Sequence, residues 1–172
     1  MPEGLPEGQD ETAAAAQARR DRVFLVVVDD SPERRVALRY AALRARKSGG
    51  RVALLRVIEP AGQVEWAGVG AMLAEERRDE AEKLLSALAA EVNEITGGLP
   101  ILLIREGEPR DELLALVTED PRISILVLAS ATGGSGPGPL ISALTGRYMA
   151  KLAVPMTIVP GGMGEAELDR VT

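Results

Sequence analysis

Apolar residues in this chain follow two rhythms that alternate along its length. The first is a short unbroken run: "RVFLVVVDD" (22–30), "RVALLRVIEP" (51–60), "PILLIREG" (100–107), "RISILVLAS" (122–130) and "PMTIVPGG" (155–162). Apolar runs of this size, rich in β-branched residues, belong to strands covered on both faces. The second rhythm is helical. "SPERRVALRYAALRARKSGG" (31–50) puts Val36, Tyr40 and Leu43 on one face, with Ser31 as N-cap, Pro32 in the first turn, Glu33 at the positive end of the dipole and Gly49 as the stop. Residues 72–94 carry a stripe of Ala81, Leu84, Leu85, Leu88 and Val92; the opposite face, "EERRDEAEK", reads as solvated surface. Pro109 opens a short helix, "PRDELLALVTED", and Pro121 closes it. After a glycine-rich start, "ATGGSGPGPLISALTGRYMAKL" (131–152) also turns helical, with Gly146 inside it.

The resulting order, βαβαβαβαβ, predicts an α/β fold: a five-stranded parallel sheet, order 3-2-1-4-5, with helices on both faces. Such sheets bind ligands beyond the carboxyl ends of the strands, where the strand order reverses. The reversal lies between strands one and four, which end in "VVVDDS" and "LVLASATGG". The glycine-rich stretch therefore begins where a ligand is expected. Residues 1–21 hold turn formers, charges and an alanine run without core periodicity, and read as a disordered tail. Residues 22–161 form the domain, 61–72 a loop within it, and 162–172 an acidic tail.

Composition narrows the chemistry. The chain has 172 residues, 46% of them apolar, enough for one domain with a core. It contains no cysteine and no histidine. Disulfides, thiol nucleophiles, Ser-His-Asp triads and Cys/His zinc sites are thereby excluded. A net charge of −6 and four aromatic residues (Phe24, Tyr40, Trp66, Tyr148) argue against a nucleic-acid binder. No apolar run reaches the length of a membrane span, and the acidic N-terminus lacks the apolar core of a secretory signal, so a cytoplasmic protein is expected.

Several stretches resemble the universal stress protein (UspA-like) family: "VVVDDSPERRVALRYAA", "ALLRVIEP", "IREGEPRDELLA" and the final "VPMTIVPG". The resemblance runs from Val23 to Gly161. It implies an adenine-nucleotide alpha-hydrolase-like, Rossmann-like fold, a homodimer joined through the last strand, a role in stress response, and an adenine nucleotide, ATP with or without Mg²⁺, at the ends of strands one and four. Nucleotide-binding members carry Gly, two residues, Gly, nine residues, Gly, then Ser or Thr. Gly133, Gly136 and Gly146 match that spacing. By similarity, Asp29 contacts the adenosine moiety and the backbone of Val57 meets the adenine edge. Two departures stand out. Arg147 replaces the hydroxyl residue, and Ala129 occupies the usual place of the first glycine, so the loop is longer and contains Pro137 and Pro139. A guanidinium one step beyond Gly146 is itself suited to pairing with phosphate oxygens.

Other readings remain open on sequence grounds. The glycine loop serves either as a phosphate cradle or as a flexible connection. Gly146 admits either a phosphate or a neighbouring element. Asp29 and Asp30 read as a polar strand end ahead of a metal site, because two carboxylates do not complete a coordination shell. Trp66 reads as a packing or dimer residue ahead of an adenine cover. A receiver domain lacks support, since the aspartate expected at the end of strand three and the lysine at the end of strand five are missing. Catalysis would fall to Asp, Glu, Lys or Tyr, and no buried pair beyond Asp29 and Asp30 suggests it, leaving slow ATP turnover at most. The alternative function is a domain that binds no nucleotide and acts by dimerising and touching protein partners.

Overall fold

The computed structural model describes residues 13–17, 21–60, 67–134 and 136–172. Five strands, β1 (Val23–Val27), β2 (Arg51–Ile58), β3 (Ile101–Glu106), β4 (Ile123–Ser130) and β5 (Met156–Pro160), form one parallel sheet in the order β3-β2-β1-β4-β5. They are joined by α1 (Arg34–Ser48), α2 (Ala67–Thr96), α3 (Pro109–Glu119) and α4 (Pro139–Thr145), and β5 is followed by α5 (Glu165–Val171). The predicted fold class and strand order are those observed.

Each strand side chain faces one of two cores because successive residues point to opposite faces. Phe24, Val26, Val52, Leu54 and Val127 enter the core beneath α1, α2 and α5. Val23, Leu25, Ala53, Leu55 and Leu126 enter the core beneath α3 and α4. Both faces of β1 are thus buried, which is why its sequence shows no polar alternation. The predicted stripe of α2 is the buried one: Ala81, Leu85, Leu88 and Val92 are buried and Leu84 packs beside them. Gly49 ends α1 in the left-handed conformation, at φ 73°, its N–H bonded to the carbonyl of Ala45.

Five local expectations are corrected. Helix α1 begins at Arg34 rather than beside Ser31, because the Ser31 hydroxyl donates to Asp29 Oδ1 at 2.6 Å instead of capping the helix. Its buried face is Ala37, Leu38, Ala41, Ala42, Leu43 and Ala45; of the three expected residues Leu43 is buried, while Val36 and Tyr40 lie at the margin. Small residues there let the helix lie close to the sheet. Helix α2 starts at Ala67, inside the predicted loop. Gly146 terminates α4 rather than interrupting it. The acidic C-terminal stretch is ordered as α5: Leu168 is buried, Asp169 pairs with Arg39 at 2.9 Å, and Gly164 N–H donates to Glu167 Oε2. Residues 13–17 are helical and exposed; the rest of the predicted N-terminal tail up to residue 20, and Trp66, lie outside the described residues.

Candidate functional site

Strand lengths create a crevice at the switch point. β1 stops at Val27, opposite Leu55, while β2 continues to Ile58. On the other side Val26 pairs with Val127, and β4 continues to Ser130. Beyond Val27 the two neighbours run on without a strand between them, β2 held by β3 and β4 by β5. Two adjoining cavities occupy this space. The larger, of about 580 Å³, lies toward β2 and α2 and is lined by Val28, Asp30, Arg56, Val57, Arg77 and Leu84, among others. The smaller, of about 250 Å³, lies toward β4 and α4, against Ser31, Arg34, Leu128, Gly138, Leu140 and Ile141. Val27, Asp29, Glu59 and Pro109 line both.

Asp29 is fixed at the junction. Its Oδ1 accepts from the backbone N–H of Ser31 at 3.0 Å as well as from the hydroxyl, while Oδ2 has no hydrogen-bond partner among the described residues. Asp30 turns the other way and pairs with Arg56 at 3.0 Å; Arg56 also donates to the carbonyl of Val28 at 3.1 Å. The adjacent acids are thus drawn to different partners. Arg77, reaching from α2, donates to the carbonyl of Glu59 at 3.3 Å. The larger cavity is rich in charge, with Asp29, Asp30, Glu59, Glu80, Arg56 and Arg77 on its walls, whereas the smaller is mainly apolar.

A second set of contacts ties the two sides of the crevice together. Glu33 is buried, and its Oε1 accepts from the backbone N–H of Thr132 at 2.9 Å and from the Thr132 hydroxyl at 2.6 Å. The hydroxyl bond, followed by the backbone N–H, holds the Glu33 carboxyl below its ordinary value. Gly161 passes so near that a Cβ there would overlap the carbonyl oxygen of Ser130 and stand 2.6 Å from Glu33 Cγ. The loop after β4 is pinned at its base by Ala131 N–H donating to the carbonyl of Pro137 at 3.1 Å. Nothing in the sequence couples residue 33 to residue 132; the contact exists only in the fold.

Of the residues singled out by sequence, Asp29 and Val57 line the crevice. Gly133 and Gly136 are exposed, with open space around them, and line neither cavity; the glycine that does is Gly138, at φ 106°. Gly146 caps the far end of α4. Arg147 is exposed, its guanidinium 5.8 Å from the centre of the Tyr148 ring, against which Arg110 packs more closely, at 4.2 Å. Arg34, Arg56, Arg77 and the Glu33–Thr132 contact were not legible as site residues.

The profile of the universal stress protein family matches residues 22–160. The chain belongs to that family. No curated protein matches it. Its fold is similar to that of the universal stress protein UspA from Lactobacillus plantarum, with a TM-score of 0.68 at 17% identity, over 81% of this chain and 98% of the other. A universal stress protein from Archaeoglobus fulgidus in complex with dAMP superimposes with a TM-score of 0.55 at 20% identity, over 80% of this chain and 96% of the other. A universal stress protein in complex with cAMP gives 0.50 at 18% identity, over 82% and 98%. Among the described residues of this universal stress protein, no helix is long and apolar enough to cross a membrane.

Proposed function

We propose that this universal stress protein binds an adenine nucleotide, ATP being the expected one, in the crevice above the end of β1. The observation that carries the reading is Asp29, fixed through Oδ1 where the two cavities meet, with its second oxygen available to accept from a ribose hydroxyl. The base then lies toward Val57 and α2, and the phosphates lie toward the loop after β4, beside Gly138. Gly133, Gly136, Gly146 and Arg147 stand outside the two cavities and would meet only a phosphate chain that extends beyond them. Two structural neighbours hold adenine nucleotides, which supports the same reading. The protein acts in the cytoplasm, in stress response, as a homodimer. Any Mg²⁺ would arrive with the ATP, and ATP turnover, if present, is slow.

Calorimetric titration with ATP, AMP, adenosine and GTP tests the reading. Binding of the adenine compounds in preference to GTP is expected; absence of heat with every one of them would remove it.

The second reading is a domain that binds no nucleotide and acts through dimerisation and protein partners; one observation bears on its dimerisation, which the first reading shares. Strand β5 is a sheet edge, and Ile158 on it is exposed at 39%. An uncovered edge invites pairing with a second copy. Sedimentation of Ile158→Asp should show a monomer where the wild type is a dimer. An Ile158→Asp monomer that still binds ATP would separate the two readings.

A further inference from the structure

Arg34 opens α1, and its side chain lines the smaller cavity beside Asp29 and Gly138. Its Nη1 donates to the backbone carbonyls of Asp29 at 3.4 Å and Ser31 at 3.1 Å, which orients the guanidinium. The Nε atom is buried and has no hydrogen-bond partner. Among the described residues no carboxylate oxygen lies within 4.0 Å of Arg34. Its neighbours differ: Arg35 pairs with Glu91 at 3.2 Å, and Arg56, across the crevice, pairs with Asp30. Arg39 also has an unpartnered buried Nε, but that cation is neutralised by Asp169 at 2.9 Å.

A buried N–H on a permanently charged group is costly to leave unmade. A guanidinium presents its donors as a planar fork that matches phosphate oxygens. We propose that Arg34 is the anion-binding residue of this crevice. It takes one phosphate of the bound nucleotide on the edge formed by Nη2 and Nε, a small side-chain shift bringing the buried Nε to the ligand while Nη1 stays anchored to the β1–α1 turn. The inference rests on the nucleotide reading above and deepens it. Because Arg34 is held by the backbone of Asp29, the phosphate it serves is the one nearest the ribose. AMP therefore gains from it as much as ATP does, and adenosine gains nothing. The surface guanidinium of Arg147 is not required for this contact.

The test is calorimetry of adenosine, AMP and ATP with the wild type, Arg34→Gln and Arg34→Lys, each checked for an unchanged melting curve. Arg34→Gln is expected to weaken AMP and ATP by roughly 10- to 100-fold, the loss of a charged hydrogen-bonded pair. Adenosine should stay within about twofold, and Arg34→Lys should recover part of the AMP affinity. AMP binding unchanged in Arg34→Gln overturns the inference, and so does an equal loss of adenosine. A wild type that binds AMP no better than adenosine leaves the nucleotide reading standing and removes Arg34 from it. A wild type that binds none of the three removes both. Should Arg34→Gln not fold, the Arg34 Nε–H resonance of the wild type decides: AMP must shift it and adenosine must not, and a resonance indifferent to bound AMP is contrary.

Discussion

The turn after β1 and the loop after β4 lie on either side of the same crevice and are held in opposite ways. In the turn, residues 28–33, side chains do the holding: Asp29 binds Ser31, Asp30 binds Arg56, and Glu33 reaches across to Thr132. In the loop, residues 131–138, glycines take conformations closed to other residues, with Gly136 at φ 95° and Gly138 at φ 106°. Several of its residues have open space around them. One wall of the crevice is thus set by hydrogen bonds and ion pairs, the other by backbone freedom. The junction of Glu33, Thr132 and Gly161 is where the firm wall restrains the compliant one.

The comparison breaks most severely at that junction. Gly161→Val would drive a branched side chain into the Ser130 carbonyl and Glu33. A loss of about 3 kcal/mol in urea unfolding is expected, the upper end for overpacking. A stable Gly161→Val would mean that the β5–α5 turn can retreat and does not hold the junction.

Glu33 comes next. Glu33→Ala strands the two donors of Thr132 and should lower the melting temperature measurably. The pH dependence sharpens this. The folded Glu33 carboxyl lies below its ordinary 4.5, so its contribution is complete above that pH and is lost as pH falls through the lower folded value. The stability gap between wild type and Glu33→Gln should therefore be constant from neutral pH to about 5 and close in more acid solution. A gap that instead widened on acidification would show that the carboxylate is not the bonded form.

The smallest effects separate two positions within the loop. Gly138→Ala forces a Cβ into a positive-φ position and should cost about 1 kcal/mol, although no atom stands in its way. Gly133→Ala, unconstrained on both counts, should stay within about 0.5 kcal/mol. Equal costs at the two positions would erase the distinction between them.

The sequence made the sheet legible because its strands are buried on both faces and so appear as unbroken apolar runs. Strand β1 is the clearest case, with Phe24 and Val26 facing one core and Leu25 the other. It concealed α5, whose anchoring apolar residue, Leu168, sits in an otherwise acidic segment. It was only partly legible in α1, where Leu43 is buried as expected but most of the close-packed face is alanine, which carries little weight in a hydrophobic pattern. At the site, Asp29 and Val57 were readable through the resemblance to the universal stress protein family, and both line the crevice. The spacing of Gly133, Gly136 and Gly146 did not fix where those residues point. Arg34 and Glu33 were hidden because their roles depend on neighbours that only the fold supplies; Glu33 meets a partner 99 residues away.

The central claim is that the crevice above β1 holds the nucleotide. Backbone amide chemical shifts of the wild-type protein, titrated with AMP, test it most directly. The account predicts shifts concentrated at residues 28–34, at Val57 and Ile58, and in the loop after β4 from Ala131 to Gly138. Saturable binding with those amides unmoved, and with the shifts gathered instead around Tyr148 or along β5, would contradict it.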